Sequence, residues 1–254
     1  MAGDPTSRGT AVAAGAVTRF RSAPTSVAAT TCGSTRISSR CSPSASRSCG
    51  WPAEPSAVSS ALSRSSADPV DDALTAAVAA VSARVVAVGA ANPVVVLDGR
   101  SGAGKSSLAR RLVATWPGRS RVQLVALDDV YPGWDGLADG VDYARRTILS
   151  PHARGLVGVW ERWDWETGSR AEAYAVDPSL PLLVEGAGLL TPEVARVADV
   201  SVWVDAPLSS RKTRALGRDG ETYRPHWDRW AAQEKHHLAA HDPAHLADLV
   251  VTIP

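Results

Sequence analysis

The sequence predicts an α/β fold of three layers, with a mostly parallel sheet between helices. Three observations predict it. Short apolar runs alternate with helical stretches from residue 68 onward. Three of those runs end in an acid, at Asp128, Glu185 and Asp205. The first run leads directly into a glycine-rich turn that closes on Gly-Lys-Ser. Alternating strands and helices imply parallel crossovers, and ligands of such sheets bind beyond the carboxyl ends of the strands.

The chain has 254 residues, long enough for one domain plus a tail. Residues 1–67 carry seven Arg and only two acids, Asp4 and Glu54, in a background of Ser, Ala and Thr. They show no sustained period of two or 3.6 and few large aliphatic residues. Such a segment buries too little apolar surface to offset its ordering entropy. It is expected to be a disordered tail or a spurious extension from an upstream start codon, although an acid-poor, Arg- and Ser-rich start also resembles a transit peptide. Cys32, Cys41 and Cys49 all fall in this stretch at spacings that fit no zinc finger, and their odd number suits a reducing compartment.

The folded domain is expected over 68–254. Asp68-Pro69 with Asp71 and Asp72 is a helix start, with a capping carboxylate, proline in the first turn and acids at the positive end of the dipole. That helix runs through the Ala- and Val-rich stretch to about Val88, and Gly89 and Asn92-Pro93 stop it. Val94-Val95-Val96-Leu97 is uniformly apolar and β-branched, the pattern of a strand covered on both faces. Further buried strands are predicted at 122–127, 180–184, 200–204 and 249–253.

Between the first strand and the next helix lies Gly99-Arg100-Ser101-Gly102-Ala103-Gly104-Lys105-Ser106, a match to G-x-x-x-x-G-K-[ST]. Glycines let the backbone turn tightly and aim successive N–H groups at phosphate oxygens. Lys105 supplies charge for the outer phosphates, and the Ser106 hydroxyl suits Mg²⁺. The stretch Ser107–Trp116 reads as a helix whose N-terminus faces the phosphates. Residues 99–107 are thus the candidate nucleotide site of a three-layer P-loop NTPase domain, with ATP and Mg²⁺ as the expected cofactors.

Composition excludes other classes. A formal net charge of +1 offers no global attraction for nucleic acid. No apolar run is long enough for a membrane span, so a soluble cytoplasmic protein is expected.

Several motifs in order resemble the uridine kinase and phosphoribulokinase-type P-loop kinases. After the glycine-rich turn come Asp128-Asp129-Val130-Tyr131, similar to D-x-F-Y, and Trp163-Asp164-Trp165-Glu166-Thr167-Gly168-Ser169-Arg170, similar to Y-D-F-x-x-H-x-R. Leu183-Val184-Glu185-Gly186 resembles the strand ending in Glu-Gly. Val202-Trp203-Val204-Asp205 followed by Arg211, Arg214 and Arg218 resembles the V-F-V-D strand and its arginine-rich lid, and Ala247-Asp248 opens a closing strand. The resemblance implies an ATP- and Mg²⁺-dependent kinase that phosphorylates a hydroxyl of a small molecule, a nucleoside first. It implies Asp128 as base, with Asp129 as fallback, and Lys105, Arg211, Arg214 and Arg218 as charge neutralisers. Glu185 joins Ser106 at the metal, and Tyr131, Trp163, Asp164, Trp165 and Arg170 face the acceptor.

The chain departs from that pattern at Gly168, where the family carries a pocket His, and at Trp163 and Trp165, which replace Tyr and Phe. A sugar or pantothenate-like acceptor is therefore an alternative, as is a nucleotide-binding ATPase or GTPase module without phosphotransfer, although no N-K-x-D guanine-reading segment is present. A homo-oligomer is possible. Three bland expectations accompany these. Trp160, Trp163 and Trp165 pack a hairpin, with Trp163 and Trp165 on one strand face. Arg211, Arg214 and Arg218 form a solvated helix face. His237 and His241 lie on a surface helix end.

Overall fold

The computed structural model describes residues 68–254. The predicted tail and its three cysteines lie outside the described residues.

Helix α1 (Pro69–Val88) begins where the sequence placed it: the Asp68 carboxylate accepts the Val70 N–H at 3.0 Å, and Gly89 ends the helix with φ 68°. Strand β1 (Val94–Asp98) then enters the centre of a five-stranded sheet. Helix α2 (Lys105–Ala114) follows, then β2 (Gln123–Ala126) and a single 3₁₀ turn, Leu127–Asp129. Helices α3 (Leu137–Ala144) and α4 (Ser150–Ala153), joined by a π-helical turn, lead to a hairpin of β3 (Gly158–Asp164) and β4 (Ser169–Val176). The chain returns through β5 (Leu182–Glu185), α5 (Pro192–Ala195) and β6 (Val200–Asp205). Helices α6 (Leu208–Tyr223), α7 (Trp227–His241) and α8 (Pro243–Leu246) precede the last strand, β7 (Leu249–Thr252).

The sheet order is β2-β5-β1-β6-β7 and every pairing in it is parallel. Strand alternation builds the two core layers. Val94 and Val96 of β1 face a cluster with Val125, Val184, Ile148 and Trp230, whereas Val95 and Leu97 face α1 and α2 through Val81, Val85, Leu108 and Leu112. A strand with apolar residues on both faces can only sit between two helical layers, which is why β1 reads as an unbroken apolar run. The register fixes the functional rim: Glu185 lies beside Leu97 on β1 and beside Ala126 on β2, so the ends of three strands meet at one point.

The hairpin corrects one expectation. Trp163 lies within β3, which ends at Asp164, but Trp165 lies beyond the strand in the turn, so the two do not share a strand face. Gly168 adopts φ 63° in that turn, a left-handed conformation that favours glycine over a histidine at this position.

Candidate active site

The glycine-rich turn wraps the end of β1. Gly102 lies against α6 so closely that a Cβ there would meet the Arg211 carbonyl oxygen at 2.1 Å, and its φ is 76°. Only glycine allows that approach. Leu108 N–H is the first amide bonded within the helix, to Gly104 O at 3.0 Å, so the amides of Gly104, Lys105, Ser106 and Ser107 remain at the open N-terminus of α2. Lys105 Nζ donates to the carbonyls of Gly99 at 2.7 Å and Arg100 at 3.3 Å, which folds the side chain back along the turn.

A cavity of about 830 Å³ opens here. It collects Ser101, Gly102, Gly104, Lys105, Ser106 and Ser107 from the turn, together with Asp128, Glu185, Arg214 and Arg218. Arg110 and Asp219 also line it, as do the aromatic side chains of Tyr131, Trp134, Trp165, Tyr223 and Trp230.

The carboxylates differ in environment. Burial pushes the Glu185 carboxyl above its ordinary pKa; Lys105 and the Ser106 hydroxyl pull it down, and Asp128 raises it. Glu185 and Ser106 line the same cavity, which brings the two expected metal-holding groups to one site. Asp128 is at the mouth of the cavity, with Arg218 Nη2 at 3.9 Å from its Oδ2. Asp129 does not line the cavity, and burial raises its carboxyl pKa, helped by Asp128 and opposed by Arg162. The 3₁₀ turn after β2 thus turns the first acid toward the site and the second away.

Two arginines of α6 reach the site. Arg214 donates through Nε to Gly102 O at 2.8 Å and through Nη1 to Pro254 O at 2.7 Å. Its Nη2 is buried and has no hydrogen-bond partner among the described residues. Arg218 is held by Asp219 at 2.7 Å, and that bond raises its pKa most. Arg211 behaves differently. It is 3% exposed and donates to Ala206 O and Ser101 O, so it braces the turn from within instead of lying on a solvated face.

The residues expected at the acceptor divide. Trp165 lines the cavity and donates its indole N–H to Asp128 O at 2.8 Å. Tyr131 forms part of the wall, but its hydroxyl donates to Ala187 O at 2.7 Å and its ring stacks edge-on against Trp230. Trp163, Asp164 and Arg170 do not line the cavity. Asp164 caps the hairpin turn by accepting the N–H groups of Glu166 and Thr167, bonds that hold its pKa down. Arg170 donates to Val130 O and Glu161 O and lies 3.9 Å over the Tyr143 ring, which fastens the hairpin to the segment after β2.

Sequence reasoning missed the far wall. Trp134 stacks on His226 with ring centroids 4.4 Å apart and on Tyr223 at 5.3 Å. No motif marks these side chains, which come from two segments almost ninety residues apart in sequence. It also misplaced His237, which is buried and hydrogen-bonds Asp98 at 3.0 Å. His241 stays near it, and burial lowers its pKa.

Parallel sheet, glycine-rich turn and following helix define the P-loop kinase-like α/β fold. A solved structure described as a possible uridine kinase from Bacillus stearothermophilus matches with a TM-score of 0.54 at 20% identity, over 70% of this chain and 98% of that one. A protein from Silicibacter sp. TM1040, put forward as a fructose transport system kinase, matches with a TM-score of 0.47 at 19% identity over 68% and 98% of the two chains. The first likeness establishes the fold. No protein-family model and no curated protein matches the chain. Among the described residues no helix is long and apolar enough to cross a membrane.

Proposed function

We propose that this protein is a phosphotransferase that moves the γ-phosphoryl group of ATP to a hydroxyl of a small molecule, with a nucleoside as the first acceptor class. The observation that carries the reading is convergence: open α2 amides, Lys105, Ser106, Glu185, Asp128, Arg214 and Arg218 all border one cavity. An orphaned, buried guanidinium nitrogen on Arg214 fits a site built for an anion.

Each residue has a role that phosphoryl transfer requires, since this chemistry needs positioning and charge neutralisation more than covalent help. The amides of 104–107 and Lys105 hold the phosphates. Ser106 and Glu185 hold Mg²⁺, which supplies charge neutralisation on the phosphate oxygens. Asp128 accepts the proton of the acceptor hydroxyl and aims its oxygen. Arg214 and Arg218 offer fork-shaped donors to the transferring group. Trp134, Trp165, Tyr223 and Trp230 give the acceptor an apolar, aromatic wall.

A sugar or pantothenate-like acceptor is the second reading. It is favoured by the engagement of Asp164 and Arg170 in holding the hairpin, which takes two expected nucleoside contacts away from the cavity.

The test is ADP formation with ATP and Mg²⁺ against a panel of nucleosides, sugars and pantothenate. At least one acceptor should stimulate turnover. Asp128→Asn should bind ATP as the parent does and lose turnover by roughly 10²–10⁴-fold, the scale of general-base catalysis. ATP binding with no stimulation by any acceptor would overturn the reading.

A further inference from the structure

The phosphate-binding turn is gripped from a helix more than a hundred residues downstream. The buried side chains of α7 are Trp227, Trp230, Glu234 and His237, a single stripe at helical spacing. Its first half faces the aromatic wall, where Trp230 lines the cavity and Gln233 accepts Leu137 N–H and donates to Trp134 O. Its second half faces the turn.

Glu234 is 3% exposed. Its Oε1 accepts the Ser101 N–H at 2.5 Å, its Oε2 accepts Arg100 Nε at 3.0 Å, and Arg211 Nη1 lies 4.0 Å away. One turn on, His237 Nε2 lies 3.0 Å from Asp98 Oδ2, and a carboxylate partner makes that nitrogen the donor. Asp98 is fully buried and accepts three amides as well: Gly99 at 2.6 Å, Gly188 at 2.9 Å and Leu190 at 2.8 Å. The entry to the turn, at residues 98–99, and its bend, at residue 101, are therefore both fixed by α7.

A buried carboxylate beside a phosphate site repels the ligand by Coulomb's law and is retained only where its geometry matters more. Here two guanidiniums balance the charge, and the carboxylate fixes the part-buried Ser101 amide at the bend of the turn. With Ser101 N–H held by Glu234, and Ala103 N–H bonded to Arg100 O, the turn keeps the curvature that presents the α2 amides outward.

We propose that Glu234 and His237 are positioning residues for the nucleotide: they hold the phosphate-binding turn in its cradle shape, so that nucleotide affinity depends on α7. The inference rests on the reading that the turn binds a triphosphate, but it needs no acceptor and no turnover.

The experiment is equilibrium binding of Mg²⁺ and a non-hydrolysable ATP analogue to the full chain by calorimetry. Glu234→Ala and His237→Ala should each weaken binding about ten-fold or more, the scale of a lost bond from a buried group that orients a ligand-holding one. Glu234→Gln and His237→Gln keep an acceptor and a donor at similar reach and should recover binding to within about three-fold. Glu234→Asp, which keeps the charge and shortens the reach, should show the Ala-like loss and serves if the Ala variant does not fold. Val125→Ala, a core truncation remote from the turn, should lower the melting temperature and leave affinity unchanged. Parent-like affinity in the Ala and Asp variants would overturn the inference alone, as would failure of both Gln variants to recover binding. A parent protein that binds no nucleotide would overturn it together with the proposed function.

Discussion

Glu185 shows how a single side chain can be placed against its own preference. It is 5% exposed at the end of β5, and burial raises its pKa although Lys105 and Ser106 pull the other way. The sign of the consequence follows from linkage. A carboxyl with a raised folded-state pKa destabilises the fold in its ionised form; the penalty is absent at pH below the ordinary glutamate value and complete once pH exceeds the raised one. Glu185→Gln should therefore melt about 2–4 °C higher at pH 7, and the gap should close toward pH 4. The same variant should lose the added stability that Mg²⁺ with ATP confers on the parent. Thermal melts across pH, with and without ligand, check both; a melting temperature lowered at pH 7 would contradict the argument. The acid itself was legible in the sequence because it ends an apolar strand just before Gly186. The choice of Asp128 over Asp129 was legible only through the resemblance, since two adjacent acids carry the same spacing signal and the 3₁₀ turn alone decides which faces the cavity.

At the scale of elements, the hairpin is where residue motifs misled. Trp163-Asp164-Trp165 through Arg170 has the composition of a binding segment, yet Asp164 and Arg170 spend their hydrogen bonds on the turn and on the junction with β2. Sequence cannot separate the two uses, because a carboxylate that caps a turn and one that binds a ligand are the same residue type. Gly168 is the sharper case. Its φ of 63° sets the hairpin turn, so placing a histidine there should not build an acceptor contact. Gly168→His should destabilise the protein by about 1 kcal/mol, the scale of a left-handed conformation for a residue with a Cβ. Urea unfolding measures this, and acceptor KM should stay within about two-fold because a Cβ here meets nothing within 4 Å. Helix α7 is the opposite case. Its buried stripe reads in sequence as an ordinary amphipathic helix, and nothing local reveals that Glu234 and His237 meet a turn that lies 130-odd residues earlier.

At the scale of the whole molecule, the described domain closes on itself. The sheet is covered on one face by α1 and α2 and on the other by the cluster that includes α3, β3 and α7. α1 is not an accessory. Leu74, Ala77, Val81 and Val85 fill the layer against β1 and β6, and Arg84 pairs with Asp248 at 2.9 Å at the start of β7. A boundary drawn at the motif-bearing strand would cut this layer away, whereas a start at Asp68-Pro69 keeps α1 with the strands it packs on. A chain that starts at Asp68 should therefore fold, keep its melting temperature within about 2 °C, and bind the ATP analogue within about two-fold of the full chain. A start at Asn92, which keeps the glycine-rich turn and removes α1, should instead expose the apolar β1–β6 face and aggregate or fail to fold. Equal behaviour of the two truncations would refute the assignment of α1 to the core. A loss of nucleotide binding on removal of 1–67 alone would show that the site draws on residues before the cap.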